Sequence, residues 1–463
     1  MPEKRGVPLR AQRGFRPQAF ASRTAAERVK TGARLPRAPL RAQRRLTPFL
    51  KTLLALCLLP GAAGCSYVFS EKRTLYDYEP AYGVESPEFR RSLDALGTEL
   101  VGNNHAVLLK NGDETFAALL EAIRGARQSV NMEVYIFDDG VIAREFARAL
   151  EERARAGVEV RLLVDSFGST LGVLEGEMAG AGVRIEEYKP LRIYSLYRVG
   201  KRTHRRIVTV DGHIGFCGGF GIDDRWKGNA RNPSEWRDTN IRVEGPVVSQ
   251  LQHVFLEDWV HTTGEVLHGN RQFPAIEPAG TMLAQAISSS RTDQSSMAKL
   301  LYYMAIQAAR RQIWIENAYF VPDSQIRRGL VAAAARGVDV KVIVPGKYID
   351  SPNVRLASRF HYGELLDGGV DIYEYLPTMM HNKVMVVDGL FTSIGSINFV
   401  NRSMKKNGEA NLCVYDAGFA EQVAAMIVED LAASERFTKE KWRKRGLLAR
   451  FGETFFWLFS DVY

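Results

Sequence analysis

Five short blocks of residues occur twice in this chain, in the same order, and that duplication constrains the fold more than any single motif does. Ala122-Ile123 and Ala126-Arg127, running through Glu133, return as Ala305-Ile306 and Ala309-Arg310 running through Glu316, at a shift of 183 residues. Gly157-Val158-Glu159-Val160-Arg161 returns as Gly337-Val338-Asp339-Val340-Lys341, and Gly182-Val183-Arg184-Ile185 as Gly369-Val370-Asp371-Ile372. In these blocks a helical pattern stops at a glycine and a β-branched strand follows, the order expected of βαβ units. The fourth block, His204-Arg205-Arg206 through Asp211 and Gly218-Gly219, is matched at a constant shift of 177 by His381-Asn382-Lys383 through Asp388 and Gly395-Ser396. The fifth pairs Asp238, Asn240, Ile241 and Val243 with Glu409, Asn411, Leu412 and Val414. The repetition predicts an α/β fold of two similar lobes, residues 75–280 and 281–435, each a mixed β-sheet flanked by helices. An active site is expected at the lobe interface.

Charge and cysteines bound the surroundings. The chain has 463 residues, 46% hydrophobic and 25% charged, which is ordinary globular material. Its net charge of +9 is concentrated in the first 45 residues, where Arg5, Arg10, Arg13, Arg16, Arg23, Arg28, Arg34, Arg37, Arg41, Arg44 and Arg45 meet few acids. The remainder is closer to neutral and lacks the concentrated basic stripe of a nucleic-acid enzyme. Leu46 to Leu59 has an apolar part too short for a comfortable membrane span but suited to a secretory signal, and Pro60-Gly61-Ala62-Ala63-Gly64-Cys65 follows. Residues 1–65 thus resemble the signal of a bacterial lipoprotein cut before a lipid-carrying Cys65, although Ala62 stands where leucine is usual. The alternative is an uncleaved anchor helix with an incidental cysteine. Cys57 lies within the signal-like run, and Cys217 and Cys413 sit in apolar strand-like runs where buried free thiols are expected. No C-x-x-C spacing is present, so no metal site is expected.

The chemistry concentrates on the fourth block. Ile207 to Val210 and Val384 to Val387 are apolar and rich in β-branched residues, so each histidine stands at the start of a strand. Side chains alternate along a strand, which puts His381 and Lys383 on one face; Asp388, seven residues on, points elsewhere if the strand stays regular. A histidine sharing a face with a cation suits phosphate, because the cation neutralises anionic oxygens while a neutral imidazole attacks phosphorus. One histidine would form a covalent phosphohistidine; the other would protonate the leaving oxygen and later deprotonate the incoming water or alcohol. No metal or other cofactor is needed. An isolated H-x-K is a weak signal, and duplication with matching downstream residues makes it a strong one.

His381, Lys383, Asp388, Gly395, Ser396 and Asn398 reproduce H-x-K-x4-D followed by G-S-x-N, and in this the chain resembles the phospholipase D superfamily over about residues 75–435. Asn317 to Asp323 (NAYFVPD), Asn401-Arg402-Ser403, Trp236-Arg237-Asp238 and Phe255 to Trp259 (FLEDW) make it similar to bacterial cardiolipin synthases in particular. The resemblance implies two phospholipase D-type lobes. It implies catalytic roles for His204, Arg206, Asp211, His381, Lys383 and Asp388, and a histidine-orienting role for Asp238 and Glu409. It also implies substrate contacts at Ser396, Asn398 and Gly219, and family analogy favours His204 as nucleophile. The first motif departs from the pattern twice, with Arg206 in place of lysine and Gly221 where Asn398 stands in the second. Arginine keeps the charge and grips phosphate bidentately, but it is bulkier than lysine and its planar fork is not a point charge.

The copies differ most at Leu191 to Lys201, ten residues of extra length before His204 that either shape substrate access or form a solvated excursion. The tail, 436–463, runs from Lys439, Lys441, Arg443, Lys444, Arg445 and Arg450 into Phe455-Phe456-Trp457-Leu458-Phe459. That composition fits an anionic lipid interface, or a helix docking its aromatics on the protein body. The expected function is phosphatidyl transfer of the cardiolipin-synthase kind, or phospholipase D hydrolysis, on phosphatidylglycerol or phosphatidylethanolamine at the membrane of a bacterial cell envelope. Nucleic acid is not an expected partner, and a monomer holds both catalytic halves. A superfamily nuclease and a degenerate lipid-binding lipoprotein are the alternatives.

Overall fold

The computed structural model describes residues 75–95, 99–190, 202–289 and 297–460. The signal-like segment with Cys65, and the Leu191 to Lys201 insertion, lie outside the described residues. After α1 (Pro87–Asp94), the first copy contains β1 (Val101–Lys110), α2 (Asn111–Gly125), β2 (Ser129–Val134), α3 (Val141–Arg155), β3 (Glu159–Asp165), α4 (Val173–Gly180), β4 (Arg184–Tyr188), β5 (Ile207–Val210), β6 (Ile214–Gly218), β7 (Thr239–Glu244) and α5 (Val247–Thr263). The second contains β8 (Met282–Ser289), α6 (Met297–Ala308), β9 (Gln312–Asn317), α7 (Ser324–Ala335), β10 (Asp339–Pro345), α8 (Pro352–Phe360), α9 (Tyr362–Asp367), β11 (Asp371–Tyr375), β12 (Lys383–Val387), β13 (Phe391–Gly395), α10 (Asn401–Lys405), β14 (Glu409–Tyr415) and α11 (Ala417–Ala432). The chain ends in β15 (Ser434–Phe437), α12 (Lys439–Arg443) and α13 (Leu447–Trp457).

Strand order makes the duplication three-dimensional. The first copy reads β1-β7-β6-β5-β2-β3-β4 and the second β8-β14-β13-β12-β9-β10-β11, joined through antiparallel β1 and β8 into one 15-stranded mixed sheet. In each copy the βαβ strands pair in parallel, β2-β3-β4 and β9-β10-β11, and the histidine-bearing hairpin adds antiparallel beside β2 or β9. The β2 strand is buried along its whole length, as expected where helices cover a parallel sheet. The helix-terminating glycines of the second block, Gly157 (φ +86°) and Gly337 (φ +90°), are left-handed, a conformation that spares glycine the Cβ clash other residues meet. Ile207, Cys217, Ile241 and Val243 share a buried cluster with Val384, Val386, Ile394 and Leu412, so the halves meet in a common core. Cys217 and Cys413 are both buried and free, as their apolar surroundings lead one to expect.

Two sequence expectations change here. Residues 75–95, assigned to the first lobe by position, contribute Val84, Phe89 and Leu93 to the core of the second half, beside Ile287, Leu301 and Ile315. Asp211 and Asp388 are not at the site. Each opens a three-residue hairpin loop, 211–213 or 388–390, whose Asp-Gly pair is left-handed at both residues (φ +53° and +68° for Asp211-Gly212; +53° and +65° for Asp388-Gly389), as a tight β-hairpin requires. Each carboxylate then gathers backbone N–H groups at the helix-to-strand junction: Arg127, Gln128 and Ser129 donate to Asp211 at 2.7–2.9 Å, and Arg310, Arg311 and Gln312 to Asp388 at 2.7–2.9 Å. Seven residues of extended chain, about 23 Å, separate such an aspartate from the histidine of its motif. The aspartates are structural anchors rather than catalytic groups.

Candidate active site

Each histidine lies just ahead of its strand, His204 three residues before β5 and His381 two before β12, and a backbone hydrogen bond to the other half holds it there. The His204 N–H donates to the Gly408 carbonyl at 2.8 Å, and the His381 N–H to the Arg237 carbonyl at 2.6 Å. The next residue in each partner segment is the acid of the fifth block. The acids therefore work crosswise: His204 Nδ1 lies 2.9 Å from Glu409 Oε2, and His381 Nδ1 lies 3.1 Å from Asp238 Oδ2. A carboxylate can only accept, so Nδ1 carries the proton in each ring and Nε2 keeps its lone pair.

The cation two residues along folds back on its own histidine in both copies. Arg206 approaches His204 Nε2 at 3.0 Å and donates to the His204 carbonyl at 2.6 Å. Lys383 Nζ lies 2.9 Å from His381 Nε2 and donates to the His381 carbonyl at 2.5 Å. Both Nε2 atoms thus stand where an anionic phosphate oxygen would meet a cation and a lone pair together. The two rings open on one cavity of about 480 Å³, with 12% of the His204 side chain and 4% of the His381 side chain exposed.

The electrostatics keep both rings neutral at rest. Burial, then the Arg206 guanidinium, lowers His204 to about 4; burial, then the Lys383 ammonium, lowers His381 to about 3. Burial also lowers Lys383, to about 7, against the pull of Asp238. Burial alone would raise Asp238, but His381, Lys383 and the Trp226 indole outweigh it and hold the carboxyl below its usual range. A phosphodiester anion entering this over-positive pocket offsets the cations and makes an imidazolium affordable.

The two copies solve the same problem with different residues. Ser396 donates its hydroxyl to Glu409 Oε2 at 2.6 Å, so it positions the acid of the His204 pair instead of reaching phosphate. Gly219, its counterpart, has no hydroxyl, and a Cβ there would fall 2.5 Å from Asp238 Oδ1. Trp226 takes over: its indole N–H donates to Asp238 Oδ2 at 2.7 Å. A Cβ on Gly221 would lie 2.9 Å from that indole ring, so Gly221 is the space that Trp226 needs. The hydroxyl missing at Gly219 is therefore replaced by Trp226, a residue without a counterpart in the second motif, and Gly221 makes room for it. Of Ser396, Asn398 and Gly219, Asn398 alone lines the cavity, and its buried Oδ1 has no hydrogen-bond partner within the protein.

Sequence reasoning missed the aromatic wall. Trp226 and Trp236 pack on His381 with ring centroids 5.1 and 5.4 Å away, and Tyr135 lies edge-on to His204 at 4.9 Å. Tyr319, whose hydroxyl donates to Asp350 at 2.7 Å, and Arg402 also line the cavity. Trp236, Tyr319 and Arg402 stand in the family-like stretches quoted above; Trp226 and Tyr135 carry no such signal.

The family described as cardiolipin synthase, PLD-like domain, matches residues 119–259 and 302–431. A probable cardiolipin synthase of Bacillus subtilis, YwiE, is 36% identical over 379 residues, covering 81% of this chain and 75% of that protein. Cardiolipin synthase A of Pseudomonas putida is 34% identical over 387 residues, covering 82% and 79%. Among solved structures, the phosphatidylserine synthase of Haemophilus influenzae shares the fold, with a TM-score of 0.63 at 11% identity over 82% of this chain and all of that one. With its two motif-bearing halves and crosswise histidine–carboxylate pairs, this chain belongs to the cardiolipin synthase family of phospholipase D-like proteins.

Proposed function

We propose that the protein is a phosphatidyltransferase that moves a phosphatidyl group from phosphatidylglycerol or phosphatidylethanolamine to the headgroup hydroxyl of phosphatidylglycerol, releasing glycerol or ethanolamine. The observation that carries this reading is the pair of neutral imidazoles, each held by a carboxylate of the other half and each with Nε2 beside a cation in one cavity. His204 Nε2 attacks phosphorus, the bond to the leaving headgroup oxygen breaks, and protonated His381 supplies that oxygen with a proton. His381 then removes the proton from the incoming hydroxyl, whose oxygen attacks phosphorus while the P–N bond breaks. The neighbouring cations support this division. Arg206 cannot surrender a proton, so His204 has no proton source beside it and keeps its lone pair. Lys383, lowered to about 7, can share a proton with His381 Nε2 at 2.9 Å.

Transfer of this kind calls for a membrane surface in the bacterial cell envelope; the signal-like run before Cys65 supports that cysteine as a lipid-bearing residue, and the presence of both motifs in one chain supports activity of a monomer. Water in place of the alcohol would give phospholipase D hydrolysis from the same intermediate, and the aromatic wall that limits water around His381 favours transfer. Incubating purified protein with labelled phosphatidylglycerol and resolving the lipid products tests the reading. Cardiolipin and glycerol are expected; phosphatidic acid without cardiolipin rejects the transferase, and undiminished product from His381→Ala rejects the mechanism.

A further inference from the structure

A cavity of about 480 Å³ takes a phosphate and its headgroup but not two acyl chains, so a lipid substrate must stay rooted in its bilayer while its head enters the site. Resting on the phosphatidyltransfer reading, we propose that the outward face of α13 is the surface that seats this cavity on an anionic bilayer. One face of α13 is spent on the protein body. Trp457 stacks on Phe360 of α8 with ring centroids 4.4 Å apart at 10°, and Glu453 is buried in an ion pair with Arg445 at 2.6 Å. The other face is bare. Leu447, Leu448, Phe451, Phe455, Leu458 and Phe459 recur at i, i+1, i+4, i+8, i+11 and i+12 and are between 44% and 89% exposed. No comparable run of exposed large apolar residues occurs elsewhere among the described residues.

Three observations select a bilayer as its occupant. First, the patch adjoins the site: Phe456 packs against a small apolar cluster that includes Val354 and Val400, and both of these also line the cavity. The helix is therefore one side-chain layer from where a headgroup reacts. Second, the charge is complementary to anionic lipid, with seven Lys or Arg against three Glu between residues 434 and 457. The ion pairs that several of these cations make, such as Lys441–Glu435 and Lys439–Asp367, are solvent-exposed and weak enough to exchange for lipid phosphate. Third, the first half offers a matching residue at the cavity. Phe167 is 58% exposed, and the guanidinium of Arg202, a cavity-lining residue, lies 5.6 Å from its ring centroid. At 11 residues α13 is far too short to cross a bilayer and has the length and polarity to lie in its headgroup region.

The test compares full-length wild type with Leu448→Ser/Phe451→Ser and with Arg443→Glu/Lys444→Glu/Arg450→Glu. Turnover is read on phosphatidylglycerol in phosphatidylcholine vesicles and on dihexanoyl-phosphatidylglycerol below its micellar concentration. Turnover is a better readout than sedimentation, because a lipid on Cys65 would hold any variant on the vesicle. Both variants should lose at least tenfold on vesicles and stay within twofold of wild type on the monomeric lipid. Equal turnover of wild type and variants on vesicles overturns the proposal. So does a change from dimer to monomer in the apolar variant without lipid, which would mean that a second copy covers the face. A clear drop in its melting temperature would likewise overturn it, because the face would then be packed against this chain. If wild type turns over neither substrate, the phosphatidyltransfer reading has failed and not the docking surface.

Discussion

Replacing Glu409 with glutamine isolates the charge of the crosswise acid with little change of shape. Oε2 of this buried carboxylate accepts from Ser396 Oγ at 2.6 Å and from His204 Nδ1 at 2.9 Å, and Oε1 has only a long contact of 3.4 Å with Asn407 Nδ2. The amide oxygen can keep both short bonds, while the amide nitrogen faces the Asn407 amide nitrogen donor to donor and gives up only that long contact, so folding should survive. What disappears is the negative charge that stabilises the ring as it becomes positive on attacking phosphorus. Two unit charges about 4 Å apart are worth about 4 kcal/mol at an effective dielectric of about 20. The equivalent acid-to-amide change in a Ser-His-Asp triad lowers kcat about 10⁴-fold, roughly 5.5 kcal/mol. Glu409→Gln should therefore lower kcat by about 10³- to 10⁴-fold, with a melting temperature near that of wild type. The assay is single-turnover formation of a phosphoenzyme from labelled phosphatidylglycerol, followed by its discharge to a second lipid. With His204 as nucleophile, Glu409→Gln slows formation. His381→Gln, tested on a substrate with a good leaving group, forms the adduct and fails to discharge it. A folded Glu409→Gln enzyme within tenfold of wild-type kcat would refute the crosswise arrangement as the source of catalysis.

Other consequences concern stability and the motif itself. Gly221→Asn restores the family letter and should still damage the enzyme, at least 10²-fold in activity, because the new side chain displaces Trp226 from Asp238; higher turnover would contradict this. Asp388→Asn should cost about 2–3 kcal/mol in denaturant titration, from weakening charge-assisted bonds to three backbone N–H groups, with kcat nearly unchanged; a large loss of kcat in folded protein would return Asp388 to the site. Acid should destabilise the fold through the two histidines. The unfolded chain binds their protons near pH 6.5 and the folded chain only near 4 and 3, so stability present at pH 7 is lost as pH falls through 6.5. Each contributes about 2 kcal/mol of that loss by pH 5. Chemical denaturation at pH 7, 6 and 5 should show a shallower fall in His204→Gln/His381→Gln, and equal slopes would count against buried neutral imidazoles.

The duplication made the strand order and the location of the chemistry legible, because helix-stopping glycines, β-branched runs and the histidine motif recur at matching spacings. What it concealed was side-chain direction. The aspartates at 211 and 388 read as part of a catalytic signature, yet the Asp-Gly dipeptide between two apolar runs was itself a hairpin signal of greater physical content. The crosswise pairing of acid and histidine follows from how the two halves meet, which no spacing within one copy encodes. Trp226 was invisible for a related reason: it replaces the Ser396 hydroxyl from a different place in the chain, so comparing position with position finds only a missing serine and a missing asparagine. Residues 75–95 were misplaced because sequence proximity to the first copy says nothing about which core Phe89 and Leu93 fill.

The stereochemical course at phosphorus tests double displacement through phosphohistidine most directly. Phosphatidylglycerol carrying a chiral phosphorothioate is converted by the enzyme, and the configuration of the product is read by phosphorus NMR. Two in-line displacements, the first by a histidine and the second by the incoming hydroxyl, require net retention. Net inversion would mean that the hydroxyl attacks the substrate directly, with both histidines left to proton transfer alone.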